Sequence, residues 1–379
     1  MFSVELTKKL IGIESTDPGA FEGLLAEELV RIARAQLPDH AHIEWKEVMP
    51  GRPIVRFVLP GTDESLSDFA FICHMDTVPF GGGWHRDPIG AGEENGKIYG
   101  RGACDMKSGL AASLSAFLRY AQAGKTKRTV SWIGTCDEED IMRGSETAAD
   151  LGWVNAETWL MDCEPTDGKI ETAHKGRYWF RFTVLGRAAH ASEPQTGADA
   201  IAGMAYAIAA IREEIAKLPK DDFLGETTVT FGRISGGTQP YQVPAECTVT
   251  IDVRAVPGIG IETIRQILEL GTERAAARIP GISSRVEITG QRESVPHHPD
   301  NPLLRLARES VLEETGELPQ VTAFPGYTDT AVIAVRTGNK NTLSYGPGSL
   351  DMAHKPDEYV EIADIERCER VYLNLLQKL

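Results

Sequence analysis

DFAFICHMDTVP, residues 68–79, is the stretch on which the fold turns. Phe69 to Cys73 form a short apolar, β-prone run that reads as a buried strand. It ends directly on His74 and Asp76. An imidazole and a carboxylate at the end of a buried strand are costly unless something compensates them. Three further segments place polar groups beside apolar runs in the same way: GRGACDMKSG (100–109) with Asp105, GTCDEED (134–140) with Glu138 and Glu139, and LMDCEP (160–165) with Asp162 and Glu164. A fifth segment, GPGSLDMAHKPDEY (346–359), carries His354. Five such clusters in one chain call for a shared counter-charge, and a pair of divalent cations would supply it.

Working outward, 379 residues exceed one ordinary core, so two domains are expected. A hydrophobic fraction of 42% with 25% charged residues is that of a soluble globular protein. The formal net charge of -16, with no basic patch interleaved with aromatics, argues against nucleic acid as a partner. No run approaches the roughly 18 apolar residues of a membrane span, and MFSVELTKKLIGIEST has no apolar leader region. A cytoplasmic address without membrane association is therefore expected. Cys73, Cys104, Cys136 and Cys163 stand within one or two residues of the candidate ligands, yet no CxxC pair exists. Adjacent strand residues face opposite ways, so Cys73 and Cys163 are expected behind the site as small buried hydrophobes, not as thiolate ligands or disulfides.

Residues 1–173 alternate strand and helix patterns. PIVRFVLPG, DFAFICHMDTV, RTVSWIGTC and TWLMDC read as strands, and 107–121 as a helix with Leu110, Leu114, Phe117 and Leu118 on one stripe. SETAADLGW reads as a short helix. Such alternation predicts an α/β domain with a largely parallel sheet flanked by helices. From 174 to 292 the order becomes strand, helix, strand, strand, helix, strand, which predicts an inserted α+β domain of split βαβ type. VPHHPDNP (295–302), with three prolines, marks the return. Helices near 303–314, around Ala331 and at 362–378, with the strand NTLSYG, then complete the first domain, which is discontinuous: 1–173 and 293–379.

Strand ends converge at the carboxyl edge of a parallel sheet. With His74, Asp105, Glu139, Glu164 and His354 as ligands, three carboxylates face four positive charges from two cations, and a bridging hydroxide closes the balance. One cation would leave the site negative. Imidazole and carboxylate donors suit Zn²⁺ first, with Co²⁺ or Mn²⁺ as alternatives. The consecutive acids Glu138 and Glu139 fit two tasks, one on a metal and one as general base toward its water. Asp76, two residues after His74, is placed to hold the imidazole in one tautomer. Asp162 competes with Glu164 as the ligand of its segment. His40, His42, His85, His297 and His298 carry no such context, and Gly81–Gly83 lacks the GK[ST] of a phosphate loop.

HMDTVP, YGRGACDMKSG, the DEE triplet, CEPTDGKIETAHKG, GRAAHASEPQTGADAI, IDVRAVPG and GPGSLDMAHKPDEY together resemble the signature segments of the M20 metallopeptidase family over nearly the whole chain. CEPT, AHKG and AHKPDEY are most similar to its acetylornithine deacetylase and succinyl-diaminopimelate desuccinylase branch. The resemblance implies a zinc-peptidase-like catalytic domain with an inserted lid and dimerisation domain. It implies a dinuclear amidohydrolase that cleaves an N-acyl amino acid, with a dipeptidase or carboxypeptidase as the alternative and a silent binder of amino-acid derivatives as the more distant one. His74 and Glu164 would hold one metal, Glu139 and His354 the other, with Asp105 bridging, Glu138 as base and Asp76 orienting. His190 would serve the site of a partner subunit in a homodimer, and Arg254 would meet the substrate carboxylate. A cis peptide between Asp105 and Met106 is also implied. The chain departs from the family pattern at Ser108 after DMK, at Tyr241, and at Gly326, Tyr327, Thr328 and Asp329 in place of a GTSD-like run. Tyr241, Gly326 and Thr328 are therefore expected where the substrate is recognised.

Overall fold

A computed structural model describes residues 2–124 and 126–379. The chain divides into two compact units. The first comprises 2–173, 297–324 and 328–379, and the second 174–296 with 325–327.

The first unit is built on an eight-stranded sheet. Its order is His42–Met49, Arg52–Leu59, Val130–Thr135, Phe69–His74, Trp159–Asp162, Thr342–Ser344, Ile170–His174, Val321–Phe324. The four central strands, from Val130–Thr135 to Thr342–Ser344, run parallel, and the outer pair His42–Met49 and Arg52–Leu59 is antiparallel. Phe69–His74 shows why the sheet is covered on both faces. Phe69, Phe71 and Cys73 enter the larger core, with residues of the helices Phe2–Ile11, Gly23–Gln36, Lys107–Gln122, Pro302–Thr315 and Ile362–Lys378. Ala70 and Ile72 enter a smaller core with Ala148 and Ile333, from the helices Arg143–Asp150 and Asp329–Thr337. A strand apolar on every residue has no face to give to water, and two helical layers meet that demand. A small separate sheet joins Tyr359–Glu361, Lys97–Tyr99 and Gly92–Glu94.

The second unit is a four-stranded antiparallel sheet, ordered Thr228–Gly236, Glu246–Ala255, Gly176–Leu185, Ser283–Arg292. Tyr178, Phe180, Phe182 and Val184 alternate with exposed Trp179 and Arg181, and Cys247, Val249, Ile251 and Val253 are buried beside them. One face is therefore apolar, and the helices Ala200–Ile215 and Ile261–Arg278 bury their own apolar residues in this unit. Asp199 caps the first of these helices, accepting from Ile201 N and Ala202 N at 2.9 Å each. Among the described residues no helix is long and apolar enough to cross a membrane.

Phe71 is fully buried and meets Phe69 and Tyr372 edge to face, with ring centroids 4.9 and 5.1 Å away. Phe71→Ala should cost about 3–5 kcal/mol of stability in the first unit. Urea unfolding read by tryptophan fluorescence, to which buried Trp132 of this unit contributes, should show a lower midpoint at unchanged slope.

Candidate metal centre

The register of the central strands brings the ligand segments together. His74 pairs with Thr135, and Ile72 with Asp162. The acids at 137–139 and at 164 thus leave the same edge of the sheet, just beyond their strands.

His74 Nδ1 lies 2.9 Å from the backbone oxygen of Asp76, so that nitrogen donates. Nε2 faces the acids, 3.0 Å from Asp105 Oδ1 and 3.5 Å from Glu164 Oε1. The sequence assigns the tautomer to the Asp76 side chain, but that carboxylate is otherwise engaged. Its Oδ1 stands 3.8 Å from Nδ1, while Oδ2 accepts from Glu139 N at 3.0 Å. The imidazole turns back onto the main chain two residues on, which leaves the carboxylate to hold the acidic loop. His354 Nε2 lies 3.0 Å from Glu139 Oε2 and 3.4 Å from Asp105 Oδ2. The peptide between Asp105 and Met106 is cis.

The neighbouring acids point to different places. Asp137 is left-handed, with φ of 68°, and the chain turns there before Glu138 and Glu139. Ligand atoms of His74, Asp105 and Glu139 lie within 4.8 Å of one another, and so do those of His74, Glu138 and Glu164. A regular strand would send two consecutive side chains to opposite faces. This loop keeps both beside His74. Its conformation rests on Arg52, which nothing in the sequence pattern singles out. The guanidinium donates to Glu22 Oε2 at 2.9 Å, to Asp137 Oδ1 at 3.0 Å and to Asp17 Oδ2 at 2.6 Å, and Asp137 N donates to Glu22 Oε1 at 3.1 Å.

Glu164 is set by backbone packing. A Cβ at Gly109 would stand 2.0 Å from the Cys163 carbonyl oxygen, and one at Gly346 would stand 2.2 Å from the same atom. Two glycines thus close on the residue before Glu164. Asp162 points elsewhere: Thr330 Oγ1 donates to its Oδ2 at 3.3 Å, and burial, with Asp329 nearby, pushes its carboxyl up to about 7. All six cysteines are buried and free. Cys73 Sγ packs 3.3 Å from Ser113 Oγ, on the helix behind the sheet, and no cysteine joins the ligand groups among the described residues.

The electrostatics follow from the crowding. Burial raises the Glu138 and Glu164 carboxyls well above the carboxylate range. Hydrogen bonds to Asp105 and Glu139 hold the His354 imidazolium, up to about 10. Burial opposes charge on His74, yet Glu164, Asp105 and Glu138 raise it well above its usual value. The surrounding carboxylates thus favour protons on both imidazoles, a compensation that cations would take over. The donor set of imidazole nitrogens and carboxylate oxygens, buried and converging, fits borderline divalent ions.

Thr328 belongs to the first unit, with Oγ1 2.7 Å from Thr330 Oγ1. His190, Tyr241, Arg254 and Gly326 belong to the second. There His190 is exposed, with Nδ1 2.7 Å from Ser192 Oγ. Tyr241 is also exposed, and Arg254 pairs with Asp252 of its own strand at 2.8 Å.

Residues 70–378 match peptidase family M20/M25/M40. The chain belongs to that family. It is 29% identical over 375 residues to the acetylornithine deacetylase of Aliivibrio fischeri (strain MJ11), covering 97% of this chain and 94% of the relative. The fold is similar to that of aminopeptidase PepT from Bacillus cereus ATCC 10987, with a TM-score of 0.81 at 20% identity, covering 100% of this chain and 98% of that one. It is similar also to Bacillus subtilis YXEP protein, described as a dinuclear metal binding peptidase from the M20 family, with a TM-score of 0.74 at 16% identity and coverage of 99% and 96%. The M20 chain described here is therefore a hydrolase of a metallopeptidase family.

Metal ligands bind deprotonated. The neighbouring carboxylates favour the protonated form of His354 and His74 in the metal-free protein, so cation uptake at these residues would discharge protons. Calorimetric titration with Zn²⁺ in buffers of different ionisation enthalpy should report net proton release, and affinity should rise between about pH 6 and 8. Proton uptake, or an affinity independent of pH, would contradict this balance.

Proposed function

We propose that this M20 enzyme hydrolyses the amide bond of N-acyl amino acids with two divalent cations, zinc before cobalt or manganese. The observation that carries the proposal is the gathering of two imidazoles and four carboxylates at one sheet edge, with Asp105 against both His74 and His354 and Glu139 against His354. Likeness to acetylornithine deacetylases over nearly the whole chain supports the substrate class.

His74 and Glu164 would hold one cation, Glu139 and His354 the other, and Asp105 lies between both imidazoles, as a bridge must. When bound, the cations acidify a water and polarise the scissile carbonyl. Glu138 takes the water's proton and delivers it to the leaving amine. Its buried setting suits both steps, because a carboxyl raised above its usual range is a better base when ionised and holds the proton until the amine needs it. Asp76 fixes His74 through its backbone oxygen and Glu139 through its carboxylate. The first unit is the catalytic domain in this scheme, and the second is a lid that pairs two copies. His190 then donates to the developing oxyanion in the partner's site. Arg254, Tyr241, Thr328 and Gly326 recognise the substrate. Six buried free thiols suit the reducing cytoplasm.

Metal-loaded protein should hydrolyse N-acyl amino acids faster than dipeptides. A chelator should abolish activity, and Zn²⁺ or Co²⁺ should restore it. In the same assay Glu138→Ala should lower kcat by about 10²–10⁴-fold with KM and metal content retained. Cleavage of dipeptides alone would move the chain to the peptidases of its family, and full activity in metal-free protein would overturn the proposal.

Mixing inactive His190→Ala with inactive Glu138→Ala subunits should restore part of the activity, because one hybrid site keeps both groups. Mixtures that exchange subunits without recovering activity would exclude a role for His190 in trans.

A further inference from the structure

Glu358 has no solvent exposure and no part in the scheme above. Its carboxylate is ringed by donors from one short segment. Oε1 accepts from Cys104 N at 2.8 Å and from Asp105 N at 3.0 Å. Oε2 accepts from Gly102 N at 3.2 Å and from Arg101 Nη1 at 2.6 Å. Gly102 has φ of 79°, a left-handed turn that helps successive N–H groups converge on one anion. The Glu358 backbone oxygen also accepts from Gly100 N at 2.9 Å. Arg101 extends the connection, because Nη2 donates to Pro79 O and Phe80 O at 3.2 Å each. One buried ion pair thus ties together the segments that carry His74, Asp105 and His354.

Charge balance gives no reason for an acid here. The carboxylates proposed as ligands already suffice for two cations, and Arg101 cancels the charge Glu358 brings. What remains is geometry. The N–H of Asp105 itself points at Glu358, so the backbone from which the Asp105 side chain departs is held by a buried carboxyl whose other oxygen is clamped by Arg101.

We propose that Glu358 is a positioning residue of the metal centre: it anchors the backbone of 102–105 so that Asp105 reaches toward both imidazoles, and it keys this loop to the segment bearing His354. The proposal rests on the two-cation reading above. Glu358→Gln is the decisive variant. Whichever way the amide turns, its NH₂ faces either the Cys104 and Asp105 N–H groups or Gly102 N–H and Arg101, and two donors lose their acceptor.

The test is titration of metal-free protein with Co²⁺, followed by visible absorption. Glu358→Gln should bind at least one Co²⁺ about 10- to 100-fold more weakly than wild type, with an altered absorption band. In the Co²⁺-loaded enzyme kcat should fall while KM stays near wild type. Glu369→Gln is the control for general destabilisation. Glu369 is equally buried and bonds Ser3, Ser115 and Arg119, away from the ligands. It should lower the melting temperature and leave Co²⁺ affinity and spectrum unchanged. Wild-type Co²⁺ affinity and spectrum in Glu358→Gln would overturn the proposal, as would an equal loss in Glu369→Gln. If Glu358→Gln does not fold, Arg101→Lys takes its place: weaker Co²⁺ binding is expected, and wild-type binding overturns the proposal. Failure of wild-type protein to take up Co²⁺ would instead refute the two-cation reading itself.

Discussion

Everything at the functional edge of this protein depends on holding mutually repelling carboxylates close together. Asp105, Glu138, Glu139 and Glu164 gather around His74, with His354 against two of them. Isolated buried carboxylates are costly, and this cost sets the demands on the rest of the structure. The parallel strands supply convergence, the imidazoles supply partial neutralisation, and the remaining charge calls for divalent cations. A group of this kind is poorly suited to stability. It is well suited to binding metal ions.

The loops that carry these acids are themselves fixed by buried ion pairs one layer out. Arg52 with Asp17, Glu22 and Asp137 holds the loop of Glu138 and Glu139. Arg101 with Glu358 holds the loop of Asp105. Each arginine uses several guanidinium nitrogens, so it constrains direction as well as charge. The arrangement resembles the outer partners that orient ligands in metal sites generally, with main-chain segments and not only imidazoles as the objects being oriented.

The candidate ligands at strand ends were legible because an apolar run that ends on His or Asp is a local signal. His74 stands at the end of such a strand and Glu139 and Glu164 just beyond theirs, whereas Asp105, expected beside a strand, lies in the turn ahead of the helix Lys107–Gln122. The helix Phe2–Ile11 was not legible. Its buried face includes Ser3 and Thr7, whose hydroxyls are satisfied by Glu369 and by Ser3 O, and they interrupt the apolar stripe. The strand His42–Met49 hid for a similar reason: as a half-exposed edge it carries charges where alternation would be read. The Asp76 carboxylate was assigned to the wrong bond because two-residue spacing suggests a local contact, whereas its partner, Glu139 N, is 63 residues away. Arg52 and Glu358 lay beyond reach for the same reason, since their meaning comes from segments brought together only by the fold. The pairing of Arg254 with Asp252 was visible in principle, as two residues on one face of a strand.

The glycines on either side of the Cys163 carbonyl have a consequence for how the enzyme can change. The layer behind Glu164 has no side-chain thickness, so the depth of that carboxylate is set by one main chain resting on another. Repacking of neighbouring side chains cannot move it. Mutagenesis around the site can therefore leave positions 109 and 346 untouched, since any side chain there would collide with main chain.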